Sequence, residues 1–387
     1  MNQIQQLINQ MCPNGVEWKT LGEVLKYEQP TKYIVDSTNY SNEGTPVLTA
    51  GASFILGYTK ETNGIYTASK DNPVIIFDDF TTSFHWVNFD FKVKSSAMKM
   101  LKPINDEVNF RYVYYSMCTI NYVPTEHSRQ WISTYSKFQI PVPPLEIQTR
   151  IVEILDHFTN LTANLTAELN LRRKQFEHYR EKLLSLDGVE GVEWKKLGEV
   201  CLIKGRIGFR GYTRSDQVTK GEGVISLSPG NINNFRLNYD DCTYITYFKY
   251  NESPEIKTYN GDIIFCKTGS TVGKVAVVVN LPCEATINPQ LVVLKEIKCY
   301  PRFLFYLLSA NEFQSKVKAL AGIGSVPNIG QAKLETIPIP LPPLAVQQSI
   351  VESLDKFTAL IENIENELAL RQKQYEYYRE QLLTFKS

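Results

Sequence analysis

Apolar residues recur at every seventh position along two long stretches of the chain, residues 143–186 and 342–387. In each stretch a second apolar row begins four residues after the first. Both stretches open with two prolines and then continue without a glycine or another proline. A seven-residue apolar repeat of this length indicates a coiled coil, and proline is acceptable at the start of a helix. The pattern therefore predicts two long helices.

We expect these two helices to form an antiparallel pair. At roughly 1.5 Å of rise per residue, about 40 residues reach near 60 Å, which is longer than a small domain is wide. Two helices of matching length most economically pack against each other. The alternative is two separate amphipathic helices, each on its own core. The predicted core of the helix pair consists of Ile151, Leu155, Phe158, Leu165, Leu169, Phe176, Tyr179, Leu183, Ile350, Leu354, Phe357, Ile364, Leu368, Tyr375, Tyr378 and Leu382.

Two arginines, Arg172 and Arg371, interrupt the apolar rows at the same point of both helices. One interpretation is a long side chain at the solvated edge of the seam, with its charged head in water. The other is that this stretch sets helix register or meets a partner protein.

The remaining segments read as mixtures of short strands and helices. Runs rich in β-branched residues, bounded by Gly, Asn, Pro or Asp, predict strands. They lie at residues 74–77, 261–265, 274–279 and 291–294, and helices are predicted at 110–119 and 301–320. The predicted fold class is α+β, with two globular domains of mixed α/β structure separated by the antiparallel helix pair.

The chain also carries an internal repeat. Residues 15–24 return as residues 191–200, and residues 143–186 return as residues 342–385 with 25 of 44 positions identical. The segments between these phrases show no match by eye. A duplicated frame with divergent filling predicts one kind of task performed on two different targets, with pseudo-two-fold symmetry. The predicted domains are 1–142, 143–186 (central helix), 187–341 and 342–387 (C-terminal helix).

Composition is ordinary for a globular protein of two or three domains, with 43% hydrophobic and 21% charged residues. No segment approaches the roughly 20 apolar residues of a membrane span, and the N-terminus lacks a secretory signal pattern. The cysteines are scattered and odd in number. Reduced thiols in a cytoplasmic protein, without a metal site, are therefore expected. They are Cys12, Cys118, Cys201, Cys242, Cys266, Cys283 and Cys299.

Charge is distributed unevenly although the net charge is zero. Residues 28–142 hold 10 Lys/Arg and 11 Asp/Glu, whereas residues 204–341 hold 16 and 11. The second divergent segment therefore has a net charge of +5. This excess is compatible with phosphate contact there.

Polar and basic residues alternate with aromatic residues in both divergent segments. Lys, Arg, Ser and Thr reach phosphates, while Asn, Gln and Arg read base edges, so such mixtures suit DNA contact. The alternative is polar loops with aromatic plugs. The DNA-contact candidates are Thr81, Thr82, Ser83, His85, Lys92, Lys94, Arg129, Arg206, Arg210, Lys220, Lys267, Thr268, Ser270, Lys274, Asn288, Gln290, Ser325 and Asn328.

No pattern of catalytic residues emerges. The loop 269–274 resembles a phosphate loop but has one residue too few between its glycines. Asp262 with Glu296 and Lys298 imitates a nuclease spacing, which occurs often by chance. The four histidines match no metal-ligand pattern. We expect a protein that is not itself an enzyme.

Several phrases resemble a known family. They are residues 51–58, 76–82, 138–145, 261–264, 269–274 and 337–344. With the duplication, they make the chain similar to the specificity subunit of a Type I restriction–modification enzyme. The resemblance covers nearly the whole chain, and its most specific parts are the two proline-to-helix junctions.

The resemblance implies a DNA-reading scaffold. Each of two target-recognition domains would read one half of an asymmetric, two-part sequence in double-stranded DNA, and the helix pair would set the spacer. Two methylation subunits would dock on this frame, and restriction subunits would join them. S-adenosylmethionine, ATP and magnesium would be bound by those partners, and no cofactor or metal by this chain.

Two alternatives remain open at the level of sequence. One is a two-domain adaptor that binds two proteins and no DNA, and the other is a nuclease using Asp262 and Glu296. The low overall charge departs from the strongly basic face usual for specific DNA binding. We therefore expect the isolated chain to bind DNA weakly, with the methylation subunits supplying much of the phosphate contact.

Overall fold

The structure is a computed structural model that describes residues 2–51, 53–206, 212–322 and 326–385. The chain divides into two compact units. The first contains Met1–Thr166 with Asn366–Ser387, and the second contains Ala167–Glu365. Each unit holds one globular segment together with part of each long helix.

The first unit begins with helix α1 and continues as a largely antiparallel β structure. Its other helices are α2, α3, the first part of α4 and the last part of the C-terminal helix. The helices are α1 Asn2–Met11, α2 Leu21–Val24, α3 Phe110–Met117 and α4 Leu145–Leu184. The strands are β1 Glu17–Thr20, β2 Leu25–Glu28, β3 Thr45–Leu48, β4 Ile55–Thr59, β5 Val74–Asp78, β6 Phe84–Val87, β7 Lys92–Val93, β8 Met98–Pro103 and β9 Gln139–Val142.

Two sheets form the body of the first unit. A four-stranded antiparallel sheet has the order β2-β8-β5-β6, and a three-stranded sheet has the order β4-β3-β7 with β3 and β7 parallel. Strand β5 alternates its side chains between two cores, because successive residues point to opposite faces. Ile75 and Phe77 pack with α3 and α4, while Val74 and Ile76 pack with the second sheet.

The second unit contains the last part of α4 and the remaining elements, except that the C-terminal helix belongs to the first unit from Asn366 onward. Its helices are α5 Leu197–Val200, α6 Tyr247–Asn251, α7 Pro301–Ser309, α8 Asn311–Ala321, α9 Gln331–Glu335 and α10 Leu344–Leu383. Its strands are β10 Glu193–Lys196, β11 Leu202–Lys204, β12 Gln217–Val218, β13 Val224–Leu227, β14 Ile232–Asn233, β15 Arg236–Leu237, β16 Thr243–Ile245, β17 Ile263–Cys266, β18 Val275–Val277, β19 Ala285–Ile287, β20 Leu291–Lys295 and β21 Pro338–Leu341.

The second unit repeats the strand order of the first. Its main sheet has the order β11-β20-β17-β18, and its second sheet has the order β12-β16-β13-β19 with β13 and β19 parallel. The additional elements include strand β12 and the hairpin β14-β15. Two segments without visible sequence similarity therefore share one topology.

The two repeated sequence phrases meet in each unit. Strand β1, from the first phrase, pairs antiparallel with β9, which leads into α4, and Glu17 lies opposite Val142. Strand β10 pairs in the same way with β21, which leads into α10, and Glu193 lies opposite Leu341. Each unit thus has the same junction between its globular segment and its long helix.

The long helices confirm the predicted pairing. Within the first unit, Phe158 of α4 stacks on Tyr378 of α10 with ring centroids 5.1 Å apart. Within the second unit, Tyr179 of α4 stacks on Phe357 of α10 at 5.2 Å. The early part of one helix meets the late part of the other in both units, so the pairing is antiparallel. Tyr179 is nevertheless 37% exposed, because two helices cannot enclose an apolar row on all sides.

The interrupting arginines bond within their own helices. Arg172 donates to Gln175 Oε1 (3.0 Å) and pairs with Glu168 (3.4 Å). Arg371 makes the equivalent contacts with Gln374 and Glu367, both at 2.8 Å. These contacts fit a charged head at the edge of the seam.

The predicted strands and the helix at 110–119 are observed with slightly different ends. The stretch predicted to be helical at 301–320 contains two helices, α7 and α8, which are separated at Ala310, whose backbone is extended (φ −70°, ψ 149°). The Glu181 carboxylate accepts from the backbone amide of Asn311 at 3.0 Å, so it supports the separate start of α8. Among the described residues, no helix has the length and hydropathy needed to span a membrane.

Candidate nucleic-acid interface

In the second unit, residues that follow three strands come together. Lys267 follows β17, Arg206 lies just beyond β11, and Asn288 follows β19. The amide of Lys267 donates to the Gln290 carbonyl (2.9 Å), and Arg206 Nε donates to the Ile287 carbonyl (3.0 Å). Loops distant in sequence therefore converge on one surface.

A further loop joins this surface from residues 326–330. Thr268 Oγ1 donates to Asn328 Oδ1 at 2.8 Å, and the amide of Ile329 donates to the Lys267 carbonyl at 2.9 Å. Ser270, Gln290 and Asn328 are exposed. We name the following residues the second loop cluster: Lys267, Thr268, Ser270, Gln290 and Asn328.

Two predicted contact residues hold this surface from within. Arg206 is buried, and burial lowers the pKa of its guanidinium. Asn288 is also buried, and its Oδ1 accepts from the amide of Gln290 at 3.0 Å. Arg206 and Asn288 both direct polar groups to neighbouring loops, and direct DNA contact by either residue stays a prediction.

Other predicted residues lie elsewhere in the second unit. Lys274 Nζ donates to the carbonyls of Ile232 (2.8 Å) and Pro229 (3.4 Å), so it anchors a neighbouring loop and does not form part of a phosphate loop. Lys220 is exposed and lines a groove that also contains Asp240. The predicted residues Arg210 and Ser325 lie outside the described residues.

In the first unit, the turn after β5 carries the corresponding group. Asp78 Oδ1 accepts from the amides of Phe80 and Thr81, both at 2.9 Å, which closes the turn. The Phe80 ring stacks on His127 at 4.7 Å, and the Arg129 guanidinium lies 5.9 Å from the same ring. We name the following residues the first loop cluster: Phe80, Thr81, Ser83, His127 and Arg129.

A buried carboxylate, Asp79, fastens the first loop cluster. Its Oδ2 lies 3.3 Å from Lys99 Nζ and 3.4 Å from Arg129 Nη1, while its Oδ1 accepts from the amide of Trp131 at 2.8 Å. A buried charge needs such partners. Sequence reasoning assigned no role to Asp79, although its position between a buried strand and a polar turn was visible.

Four other candidates in the first unit have different surroundings. Lys92 is buried, with Nζ 2.5 Å from Glu61 and 2.8 Å from the Asn63 carbonyl, and Thr82 is buried with φ +58°. DNA contact by these two buried residues stays a prediction. His85 Nε2 lies 3.1 Å from the Gly51 carbonyl, whereas Lys94 is exposed.

The two loop clusters occupy equivalent places in the topology. The amide of Gln130 donates to the Asp79 carbonyl (2.7 Å), just as the amide of Ile329 donates to that of Lys267. Each bond joins the residue after the central strand to the late loop that precedes the long helix. The clusters are thus alike in position and different in side chains.

A second duplicated arrangement joins each globular segment to a long helix. On α3, Arg111 and Tyr115 are four residues apart, and on α4, Asp156 and Thr159 are three apart, so each pair shares a helix face. Arg111 Nε donates to Asp156 Oδ1 (2.8 Å), and the Tyr115 hydroxyl donates to the same oxygen. Thr159 Oγ1 lies 3.2 Å from the Tyr115 hydroxyl. We name these four residues the first latch.

The second latch consists of Arg302 and Tyr306 on α7 with Asp355 and Thr358 on α10. Arg302 Nε donates to Asp355 Oδ1 (2.7 Å), and the Tyr306 hydroxyl donates to it at 2.5 Å. Burial, and then the bond to Asp355, raise the pKa of Tyr306 to about 12. The same causes raise the pKa of Tyr115, with Asp156 as the partner. Both phenols therefore stay protonated and donate near neutral pH.

A buried glutamine supports each latch at the start of the long helix. Gln148 Oε1 accepts from the amide of Asn109 at 2.8 Å, and its Nε2 donates to the Pro143 carbonyl at 2.7 Å. Gln347 makes the same two bonds, with Tyr300 and Pro342, at 3.0 and 2.8 Å. Each long helix is thus tied to the start of the short helix that carries the latch arginine.

Sequence reasoning missed both latches, although a signal was present. Asp-x-Phe-Thr occurs at residues 156–159 and 355–358, and Arg-x-x-x-Tyr occurs at residues 111–115 and 302–306. The second pattern lies inside the divergent segments, where only its duplication distinguishes it from ordinary helix sequence.

Two members of the possible nuclease set, Asp262 and Lys298, have other partners. Asp262 pairs with Lys295 at 2.8 Å, while Lys298 donates to the Glu199 carbonyl at 3.1 Å. The lysines on either side of Glu296 therefore serve different partners. Within the described part of the chain, no group of three or more His, Cys, Asp or Glu residues is arranged to hold a metal ion.

Comparison with known proteins places this arrangement in a family. The sequence profile described as "Type I restriction modification DNA specificity domain" matches residues 13–171 and 189–370. The chain belongs to this family of type I specificity subunits. The two matches contain the two globular segments and most of the two long helices, so the specificity domain is present twice.

Relatives of the specificity subunit extend over almost its full length. The specificity subunit of the type I restriction enzymes EcoR124I and EcoR124II from Escherichia coli is 42% identical, covering 96% of this chain and 94% of the relative. A putative type I specificity subunit from Haemophilus influenzae is 28% identical, covering 96% of each.

Solved structures share the fold of the specificity subunit. The S subunit of a type I restriction–modification system from M. genitalium superimposes with a TM-score of 0.63 at 15% identity, covering 97% of this chain and 98% of that one. A chain from a structural study of assembly of the type I R-M system gives 0.52 at 18% identity, with 96% and 98% covered.

Proposed function

We propose that this specificity subunit reads an asymmetric, two-part sequence in double-stranded DNA, one half with each globular domain. The observation that carries the proposal is the pair of loop clusters, which occupy equivalent places in a duplicated frame but present different side chains. Equivalent placement suits one mode of approach to DNA. Different side chains suit different bases.

The two loop clusters offer different groups for contact with the DNA backbone and with base edges. In the first, Arg129 can address guanine or phosphate, while Thr81 and Ser83 offer hydroxyls. In the second, Gln290 and Asn328 offer amides that can pair with adenine, and Lys267 offers charge to phosphate.

The helix pair serves as the spacer and as the frame for partner subunits. Each helix has 40 residues, which corresponds to about 60 Å at 1.5 Å per residue. Two near-identical helices in antiparallel pairing offer equivalent surfaces to two copies of one partner. We assign these surfaces to two methylation subunits, with restriction subunits joining the full complex.

The chain itself is proposed to be non-catalytic. S-adenosylmethionine, ATP and magnesium would be bound by the methylation and restriction subunits. Because the first globular segment carries a net charge of −1, the isolated chain should bind its site weakly. Specific binding by the purified chain as tight as that of the assembled methyltransferase, at physiological salt, would contradict this point.

Exchange of one domain tests the proposal. Residues 204–337 would be replaced by the corresponding segment of a relative, and methylated adenines would be mapped genome-wide in cells that also supply the methylation partner. We expect one half of the methylated sequence to change and the other half, with the spacer, to persist. A protein-binding adaptor would instead leave the methylated sequence unaltered.

A further inference from the structure

The two latches connect the globular segments to the helices through residues that belong to neither loop cluster. In the first unit the latch joins α3 to α4, and in the second it joins α7 to α10. Neither latch includes a residue of a loop cluster. The latches therefore affect the position of a domain on its helix, and they do not supply the side chains that the domain presents to DNA.

Each latch contains more than one charge-assisted bond. In the first, Arg111 Nη2 also donates to the Tyr115 hydroxyl at 3.1 Å, and its guanidinium lies 4.6 Å from the Trp86 ring centre. In the second, Arg302 Nε also lies 2.9 Å from Asp355 Oδ2. Bonds to ionised groups are shorter and stronger than neutral ones. Several of them meeting at one carboxylate fix both the distance and the angle between two helices.

The same latch arrangement is present in both halves of the duplicated frame. Asp156 and Asp355 are equivalent in the helix repeat, and so are Thr159 and Thr358. The arginine and tyrosine on the facing helices lie in segments that otherwise diverged. A general need for stability would be met by many apolar contacts, whereas this set specifies direction.

We propose that the two latches are positioning elements that fix the angle of each recognition domain on the helix pair, and thereby set the length of DNA spacer that the subunit accepts. The inference rests on the proposed function and deepens it. Asp156, Tyr115, Asp355 and Tyr306 are positioning residues, since they act on DNA only through the placement of a domain.

The test uses the subunit assembled with its methylation partners. The substrates are a set of DNA duplexes with both half-sites fixed and the spacer varied by one base pair at a time, and the measurement is the methylation rate. The variants are Asp156→Asn and Asp355→Asn, with Tyr115→Phe and Tyr306→Phe as milder changes that keep the ring. Ile75→Val, in the buried core of the first unit, is the matched control for a loss of stability alone.

Both Asp→Asn variants should raise the ratio of methylation at spacers one base pair off the optimum to methylation at the optimal spacer by about three- to tenfold. The net contribution of one typical hydrogen bond corresponds to about that factor. The Tyr→Phe variants should change the ratio in the same direction by less, and Ile75→Val should leave it unaltered. The bases read in each half-site should stay the same in all of them.

Three results would contradict the proposed positioning role of the latches. They are an unchanged spacer profile, an equal loss of methylation at every spacer, or the same broadening in Ile75→Val. If Asp156→Asn fails to fold, Tyr115→Phe decides the question. A wild-type complex without any two-part sequence preference would overturn the proposed function and the latch with it, which distinguishes the two failures.

Discussion

The first and second recognition domains have the same strand order, the same parallel pair of strands and the same latch, but their loop clusters differ in charge and in chemistry. The first loop cluster is fastened by the buried Asp79, which is held by Lys99 and Arg129. At the equivalent place the second has Lys267. The two domains thus share the parts that hold a domain to the helices and differ in the parts at the strand ends.

The domains also differ in one set of contacts with the helices. In the second unit, Arg236 of the hairpin β14-β15 lies within 3.5 Å of Glu362 and 3.4 Å of Glu365 on α10. The positions equivalent to these acids in α4 are Ala163 and Thr166. One domain can therefore have contacts with its helix that the repeat does not provide. A comparison of the two domains starts from the parts that are duplicated.

The largest expected effect comes from lengthening the frame. Four helix-forming residues inserted after Thr166 add about 6 Å of helix, which corresponds to about two base pairs of DNA at 3.4 Å each. A four-residue insertion is also a tolerated irregularity of a seven-residue repeat. We expect methylation at the original spacing to be lost and a longer spacer to be preferred, as measured by sequencing of methylated sites.

The control for this insertion is the same four residues placed after Asp71, in an exposed turn. It should leave the spacer unchanged. An altered half-site with unaltered spacing would count against the helix pair as the spacer.

Truncation of equivalent core leucines tests whether the two halves of the frame are equally important. Leu155 and Leu354 are both fully buried, and each change to alanine should lower the free energy of unfolding by about 2–5 kcal/mol. Chemical denaturation measures the loss. Leu171→Ala, at a position 66% exposed, should change stability by less than about 0.5 kcal/mol. A large difference between the first two variants would argue against an equivalent frame.

Replacement of loop residues should affect one half-site at a time. Arg129→Ala should weaken binding of the assembled methyltransferase by about 1–3 kcal/mol and relax its choice of bases in one half-site, and Asn328→Ala should do so in the other. Competition binding with singly substituted DNA sites measures both. Lys70→Ala, on an exposed turn, is the control. Loss of discrimination in the same half-site for both variants would refute the assignment of one domain to each half.

The smallest expected effect concerns the contacts found only in the second unit. Arg236 is partly exposed, and its ion pairs are long. Arg236→Ala should therefore cost less than about 1 kcal/mol of unfolding free energy, and the difference should shrink in high salt. Thermal unfolding at low and high salt measures it. A loss comparable to that from Leu155→Ala would mean that the hairpin is part of the frame.

Much of the frame could be predicted because its signals are local. The proline pairs at residues 143–144 and 342–343 preceded helices that begin at Leu145 and Leu344. The apolar rows predicted which faces meet. The junction strands were not assigned in advance, because the pairing of Glu17 with Val142 joins residues far apart in the sequence.

The candidate site was predictable only in part. The sequence predicts polar contact residues in loops, and the fold brings four of them together: Lys267, Thr268, Gln290 and Asn328. Lys92 looked identical to an exposed lysine in sequence, yet Glu61 and the Asn63 carbonyl hold it inside the protein. Residue type gives the chemistry that a side chain can perform, but not the direction in which it points.

The sequence by itself determined that this protein has two long paired helices, a duplicated frame and two divergent globular segments, since periodicity and repetition are written along the chain. The tertiary structure alone decided that the divergent segments share one topology, that selected loops converge at equivalent strand ends, and that a latch ties each domain to its helix. The physical reason is that burial and ion pairing depend on residues distant in sequence: Arg111 meets Asp156, and Arg302 meets Asp355. Such encounters are created only when the whole chain has folded.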